Sequence, residues 1–207
     1  MKTVHSAEEI LEICRTPNPN QILMNLCRDY QHENLPDIIQ LLVRNGIDLN
    51  CDDKLGSKAF LYLCGNYKHD NLIDIVRILL QHGVDVNCKN KDGSNTLHLL
   101  CQFYGKRNLI EIIQLLIEHE IDVNSKDWTG NNAFLYLCAY YKEENLIEIL
   151  QLLIKHGIEI NYRNHFGETP VHLLCTLYKG SNRNEILQLI EKNKPMEIKG
   201  NRNCCLM

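Results

Sequence analysis

One cysteine recurs every 37 residues, at Cys27, Cys64, Cys101, Cys138 and Cys175. Tyr30, Tyr67, Tyr104, Tyr141 and Tyr178 keep the same step, and so do Asn34, Asn71, Asn108, Asn145 and Asn182. A second asparagine series (Asn50, Asn87, Asn124, Asn161) and a glycine series (Gly56, Gly93, Gly130, Gly167) follow without loss of register. A fixed period of about 20–50 residues marks stacked supersecondary units, none of which buries its apolar face alone. The chain is therefore expected to form a quasi-linear array rather than a globule around one centre.

One unit reads DGSNTLHLLCQFYGKRNLIEIIQLLIEHEIDVNSK. Its DG is a turn signal, and TLHLLCQFY is a short apolar helix. After a polar break, NLIE has the form of a capping box, with Asn108 accepting from first-turn amides and Glu111 reaching back. IIQLLIEH then has helical periodicity, with Ile112, Ile113, Leu115, Leu116 and Ile117 on a broad inner face. Three such helices stop near Gly46, Gly83 and Gly157, which can adopt the left-handed conformation. The unit shown has Glu120 there instead, and its helix end is expected to be strained by about 1 kcal/mol. A longer period overlies the first: AFLYLC at 59–64 and 133–138 alternates with LHLLC and VHLLC, a 74-residue pattern that suggests duplication of a two-repeat block.

GETPVHLLC at 167–175, GSNTLHLLC at 93–101 and HGVDVNCKNKDG at 82–93 resemble the ankyrin repeat, over roughly residues 20–193. The resemblance implies an all-α solenoid of stacked helix pairs joined by β-hairpin-like turns. It divides the chain into an N-terminal capping helix in 1–16, an array of about five repeats in 17–193, and a tail in 194–207. HSAEEILEIC at 5–14, with Ser6 as cap, supplies the starter helix, and TPNPN at 16–20 breaks it. The usual ankyrin unit has about 33 residues. The extra four fall between the helices, around YGKR, as either another helical turn or a longer loop that the repeated Tyr and Asn keep ordered.

Composition narrows the function. The formal net charge is −4, and neither sign forms a long block. Nucleic acid is excluded as the main partner, because phosphate binding requires a concentrated basic surface. No apolar run approaches the ~20 residues of a spanning helix. Acidic residues occupy the N-terminal stretch where a signal peptide would be apolar. The chain is expected in the cytoplasm with its ten cysteines as free thiols.

The five periodic cysteines are read as core packing, since a free Cys behaves as a small hydrophobe. A zinc site could use His98 with Cys101 or His172 with Cys175. The two pairs lie two repeats apart, roughly 20 Å at 8–10 Å per packed layer, too far for one tetrahedral ion. No metal and no cofactor is expected. The resemblance gives His98 and His172 a structural hydrogen bond between neighbouring turns. Cys51 and Cys88 are expected half-buried in the hairpin arm. No nucleophile elbow, P-loop or HExxH motif is present, and the chain is read as non-catalytic.

The resemblance also places a protein-binding surface on the hairpin tips and the exposed side of the first helices. Leu55, Phe103, Trp128, Tyr140, Phe166 and Leu177 fall there, and together form an expected apolar and aromatic stripe on the concave face of a monomer. Aromatic side chains in such a place have the profile of interface anchors. The tail ends in Cys204-Cys205-Leu206-Met207, which fits the C-a-a-X prenylation signal, and a terminal Met favours farnesyl. Cys204 would carry the lipid, and the motif's usual processing removes the last three residues. One short chain binds membranes only marginally. Lys194, Lys199 and Arg202 against Glu197 add at most about 1 kcal/mol per basic residue. The expectation is an adaptor partly held on the cytosolic face of a membrane. Its competitor is a soluble ankyrin scaffold or inhibitor without a lipid.

Overall fold

The computed structural model describes residues 19–53 and 56–193. The expected capping helix in 1–16, Leu55 at the first hairpin tip, and the tail with Cys204 lie outside the described residues. Ten helices are described, alternating between two rows. The first row is α1 (Pro19–Asp29), α3 (Ala59–Asn66), α5 (Thr96–Phe103), α7 (Ala133–Tyr140) and α9 (Pro170–Thr176). The second is α2 (Leu35–Arg44), α4 (Leu72–Gln81), α6 (Leu109–Glu118), α8 (Leu146–Lys155) and α10 (Arg183–Lys192). The fold is an all-α solenoid of helix pairs. Helix α1 begins at Pro19, inside TPNPN, because proline at the first helical position loses no bond that the helix could have made.

The second-row helices are amphipathic, and their apolar faces form the core with the first row; Ile112, Ile113 and Leu116 of α6 are buried. First-row helices approach one another more closely than second-row helices do, so the stack curves with its concave side along α3, α5, α7 and α9. Cys27, Cys64, Cys101 and Cys138 are buried in the core, and burial raises each thiol pKa, to about 12 for Cys27. Two expectations fail at the last repeat: Cys175 and His172 are exposed, because no further described unit stacks on α9. Cys51 and Cys88 are buried rather than half-buried, each with 7% of its surface exposed.

The four additional residues form an inter-helix loop; the first helix is not lengthened, since α5 ends at Phe103 and α6 starts at Leu109. Asn34, Asn71, Asn108, Asn145 and Asn182 do occupy N-cap positions, but none caps with its side chain. Their backbones sit near φ −80°, ψ +10°, as at Asn108 (φ −78°, ψ 11°), not in the extended conformation from which a cap side chain reaches the first-turn amides. Each side chain instead accepts from the tyrosine four residues earlier: Tyr30, Tyr67, Tyr104, Tyr141 and Tyr178 lie 2.6–2.9 Å from their asparagines. The amide nitrogens donate back to the preceding repeat, Asn71 to the Glu33 carbonyl (2.7 Å), Asn108 to Asp70 (2.7 Å), Asn145 to Arg107 (2.8 Å) and Asn182 to Glu144 (3.0 Å). Tyr67, Tyr104 and Tyr141 also lie near carbonyls of that repeat, at His32, His69 and Lys106. The added loop is thus a polar ladder that couples neighbouring units.

The second asparagine series forms a ladder at the opposite end. Asn87 donates to the Glu120 carbonyl (3.0 Å) and accepts from the Asp122 amide (2.8 Å); Asn50 and Asn124 do the same around Gly83 and Gly157. Gly46, Gly83 and Gly157 have positive φ as expected, and Glu120 is the one non-glycine residue among those described with positive φ, at 63°. The Asn87 clamp holds this residue in the conformation its Cβ disfavours.

Candidate functional site

The hairpin tips are built by one residue each. The Asn90 side chain accepts from the amides of Asp92 and Ser94, and Asn164 accepts from Phe166 and Glu168. Asp127 takes the same place with Thr129 and Asn131, and its second oxygen accepts from the Tyr136 hydroxyl at 2.5 Å. Tyr62 makes the equivalent bond to Asp53 (2.7 Å). Burial works against the Asp127 charge, but the Tyr136 and Thr129 hydroxyls and the backbone amides outweigh it and hold the carboxyl below its ordinary value. The 74-residue alternation has this structural meaning: units with an acidic tip have Tyr on the following helix, and units with Asn at the tip have Leu99 or Leu173 there. Sequence reasoning did not find the Tyr–Asp links, although the joint alternation of positions nine residues apart was visible.

Consecutive tips are joined. The Trp128 amide donates to the Asp92 carbonyl (3.0 Å), and the His165 amide to Thr129 (3.0 Å). The Trp128 indole N–H donates to the Lys91 carbonyl (2.6 Å). Its ring lies so close over Gly93 that a Cβ there would stand 3.2 Å from Cδ2. Trp128 is therefore fixed to the preceding tip while 72% of it stays exposed.

His98 links the helix row to the tips. Its Nδ1 accepts from the Asn95 amide (3.0 Å), which leaves the proton on Nε2 to be donated to the Ser125 carbonyl (2.9 Å). The neutral tautomer is required, and burial lowers the pKa. The hydrogen bond expected for this histidine is present; the exposed His172 has no following hairpin among the described residues.

Among the described residues, five large hydrophobic side chains are left exposed: Phe103, Trp128, Tyr140, Phe166 and Leu177. Phe103, Tyr140 and Leu177 occupy one repeat position, at the C-terminal ends of α5, α7 and α9, and so form a ridge along the stack. Trp128 and Phe166 are on the tips beside it. Tyr140 stacks on Tyr136 with ring centroids 6.0 Å apart. A cleft of ≈ 90 Å³ lies between α7 and α9, with Leu135, Ala139, Tyr140, Leu177 and Glu168 in its walls. Lys68 stands over the Phe103 ring at 5.6 Å and donates to the carbonyls of Gly65 and Phe103, and burial lowers its pKa.

None of the helices α3, α5, α7 and α9 contains an Asp, Glu, Lys or Arg. These first-row helices are thus uncharged from one repeat to the next, while Lys68 stands over Phe103 and Glu168 borders the cleft beside Tyr140. No group of His, Cys, Asp and Glu suited to a metal ion occurs among the described residues, and no described helix is long and apolar enough to cross a membrane.

A family model described as ankyrin repeats, in three copies, matches residues 23–127 and again 67–164. The chain belongs to the ankyrin-repeat family. Ankyrin repeats mediate binding between proteins. The exposed ridge of this ankyrin array lies on the first helices and tips. No curated protein matches the chain.

Proposed function

We propose that the protein is a non-catalytic ankyrin adaptor that holds a partner protein on its concave face, through Phe103, Trp128, Tyr140, Phe166 and Leu177. The observation that carries this reading is the exposed apolar ridge on a row of helices, α3, α5, α7 and α9, that contain no charged residue. Depletion of charge around exposed aromatic side chains is the compositional signal of an interface centre. Contiguous apolar surface is otherwise rare on a monomer. Replacing Tyr140 by Glu is expected to abolish partner co-purification and leave the urea unfolding midpoint unchanged. Retained binding with the same midpoint would exclude the ridge.

We further propose that residues 194–207 form a tail that is prenylated on Cys204 and holds the adaptor at the cytosolic face of a membrane. The C-terminal CCLM sequence supports this reading. Its test is the intact mass of wild type and Cys204→Ser made in a eukaryotic cell, with membrane fractionation. Gain of one isoprenoid with loss of three residues, both absent in the variant, is the expected result. An unmodified mass and identical fractionation would leave a cytoplasmic adaptor without an anchor.

A further inference from the structure

If the concave face binds a protein, its chemistry also constrains the shape of what it binds. We infer that the occupant is an amphipathic α-helix lying along the stack, with large apolar residues seven apart and acidic residues on the flank facing the inter-helix loops.

The first argument is pitch. Phe103, Tyr140 and Leu177 repeat once per unit, and packed helix layers are about 8–10 Å apart. Residues seven apart on an α-helix are separated by about 10.5 Å on nearly one face. A single helix can thus set consecutive apolar side chains against consecutive members of the ridge.

The second argument is hydrogen bonding. An extended or polyproline ligand brings unpaired backbone groups that its receptor must satisfy. Several polar groups of this floor are engaged within the array. The Tyr136 hydroxyl donates to Asp127, the Trp128 indole to the Lys91 carbonyl, the Asn66 amide to the Arg28 carbonyl, and the Thr176 hydroxyl to the His172 carbonyl. A helix satisfies its own backbone and asks little of such a surface.

Charge complementarity gives the flank. Lys68, Lys142 and Lys179 hold one repeat position, directly after the tyrosines that follow α3, α7 and α9; Gly105 holds it after α5. The acids of the same loops are engaged: Asp70 with Lys106, and Glu143 and Glu144 with Arg107. Among the described residues Lys142 and Lys179 form no ion pair and are exposed. A helix on this floor would therefore run beside Lys142 and Lys179 at its α7–α9 end, and an acidic flank there would both steer and orient it.

The test is a display selection on the full chain with two libraries. One presents a randomised helix face on a small rigid helical scaffold, and the other presents flexible peptides. The helix library should yield binders with large apolar residues seven apart and Asp or Glu beside them. Their affinity should fall at least about tenfold on Tyr140→Glu and less on Lys142→Glu, with Gln114→Ala on the opposite row unchanged. Enrichment only of extended or proline-rich peptides that Tyr140→Glu abolishes would overturn the helix and leave concave binding standing. Binders indifferent to Tyr140→Glu, or none from either library, would overturn both. Binders that appear only after residues 194–207 are removed would assign the floor to the chain's own tail. Self-association lost in Tyr140→Glu would assign it to a second copy.

Discussion

The two helix rows of this array share a core and face different demands on their other side. Each second-row helix has ten residues, a buried apolar face and charges outside, such as Asp74 and Arg77 on α4 or Glu111 and Glu118 on α6. First-row helices α3, α5 and α7 have eight residues and no charge, and α5 and α7 each leave an aromatic side chain exposed at the C-terminal end. Water solvates the outer row through its charges. The inner row lacks that provision from α3 onward. One row thus reads as a scaffold surface and the other as a surface kept for contact. The two asparagine ladders hold the rows in register at either end, so that the floor is presented at a regular pitch.

The contrast can be broken most severely from the scaffold side. Ile113→Ala on α6 removes a fully buried side chain and is expected to cost about 2–5 kcal/mol in urea unfolding. Asn108→Ala breaks one rung of the inter-helix ladder, taking the Asn108 donor from the Asp70 carbonyl and leaving the Tyr104 hydroxyl with the His69 carbonyl alone; a loss of about 1 kcal/mol is expected by the same measurement. Glu120→Gly relieves the positive φ and should raise stability by about 0.5–1 kcal/mol, with the Asn87 clamp intact.

His98 gives a pH signature of the core between the rows. Its pKa in the folded protein is depressed below the ordinary 6.5 by burial, against a raising influence from Asp127 and with a small lowering one from Lys89. Below that value the unfolded chain binds more protons, so the contribution of neutral His98 is full above about pH 6.5 and is lost as pH falls toward the folded pKa. Unfolding midpoints measured between pH 7.5 and 5 should fall, and His98→Leu, which copies Leu61 and Leu135 at the same repeat position, should flatten that slope. The smallest expected effect on stability is at the ridge. Tyr140→Ser should stay within about 0.5 kcal/mol of wild type. A larger loss would mean that Tyr140 serves the fold through its stacking on Tyr136.

Most of the architecture was legible because repetition makes one chain its own alignment. Helix pairs, tips, glycine helix ends and the strained Glu120 all follow from residues at fixed register. The asparagines between the helices show the limit. NLIE satisfies the local pattern of a capping box, but the bonds that decide its side chain run to a tyrosine four residues back and to a carbonyl 38 residues away. Local pattern reading is blind to that competition. Cys175 and His172 show a second limit: periodicity assigns every copy the same environment, and the end of a stack breaks that equivalence. The exposed aromatic positions were legible for the opposite reason, since their register on the first helices and tips requires no knowledge of distant partners. Trp128 is the exception, because its bond to Lys91 crosses from one tip to another.

The most direct measurement is site-specific photo-crosslinking in cells, with a photoreactive phenylalanine analogue placed at Tyr140 on the inner row or at Gln114 on the outer row. The account predicts a discrete protein adduct from position 140 and none from position 114. An adduct from 114 with none from 140 would contradict it, and would move the interface to the charged row.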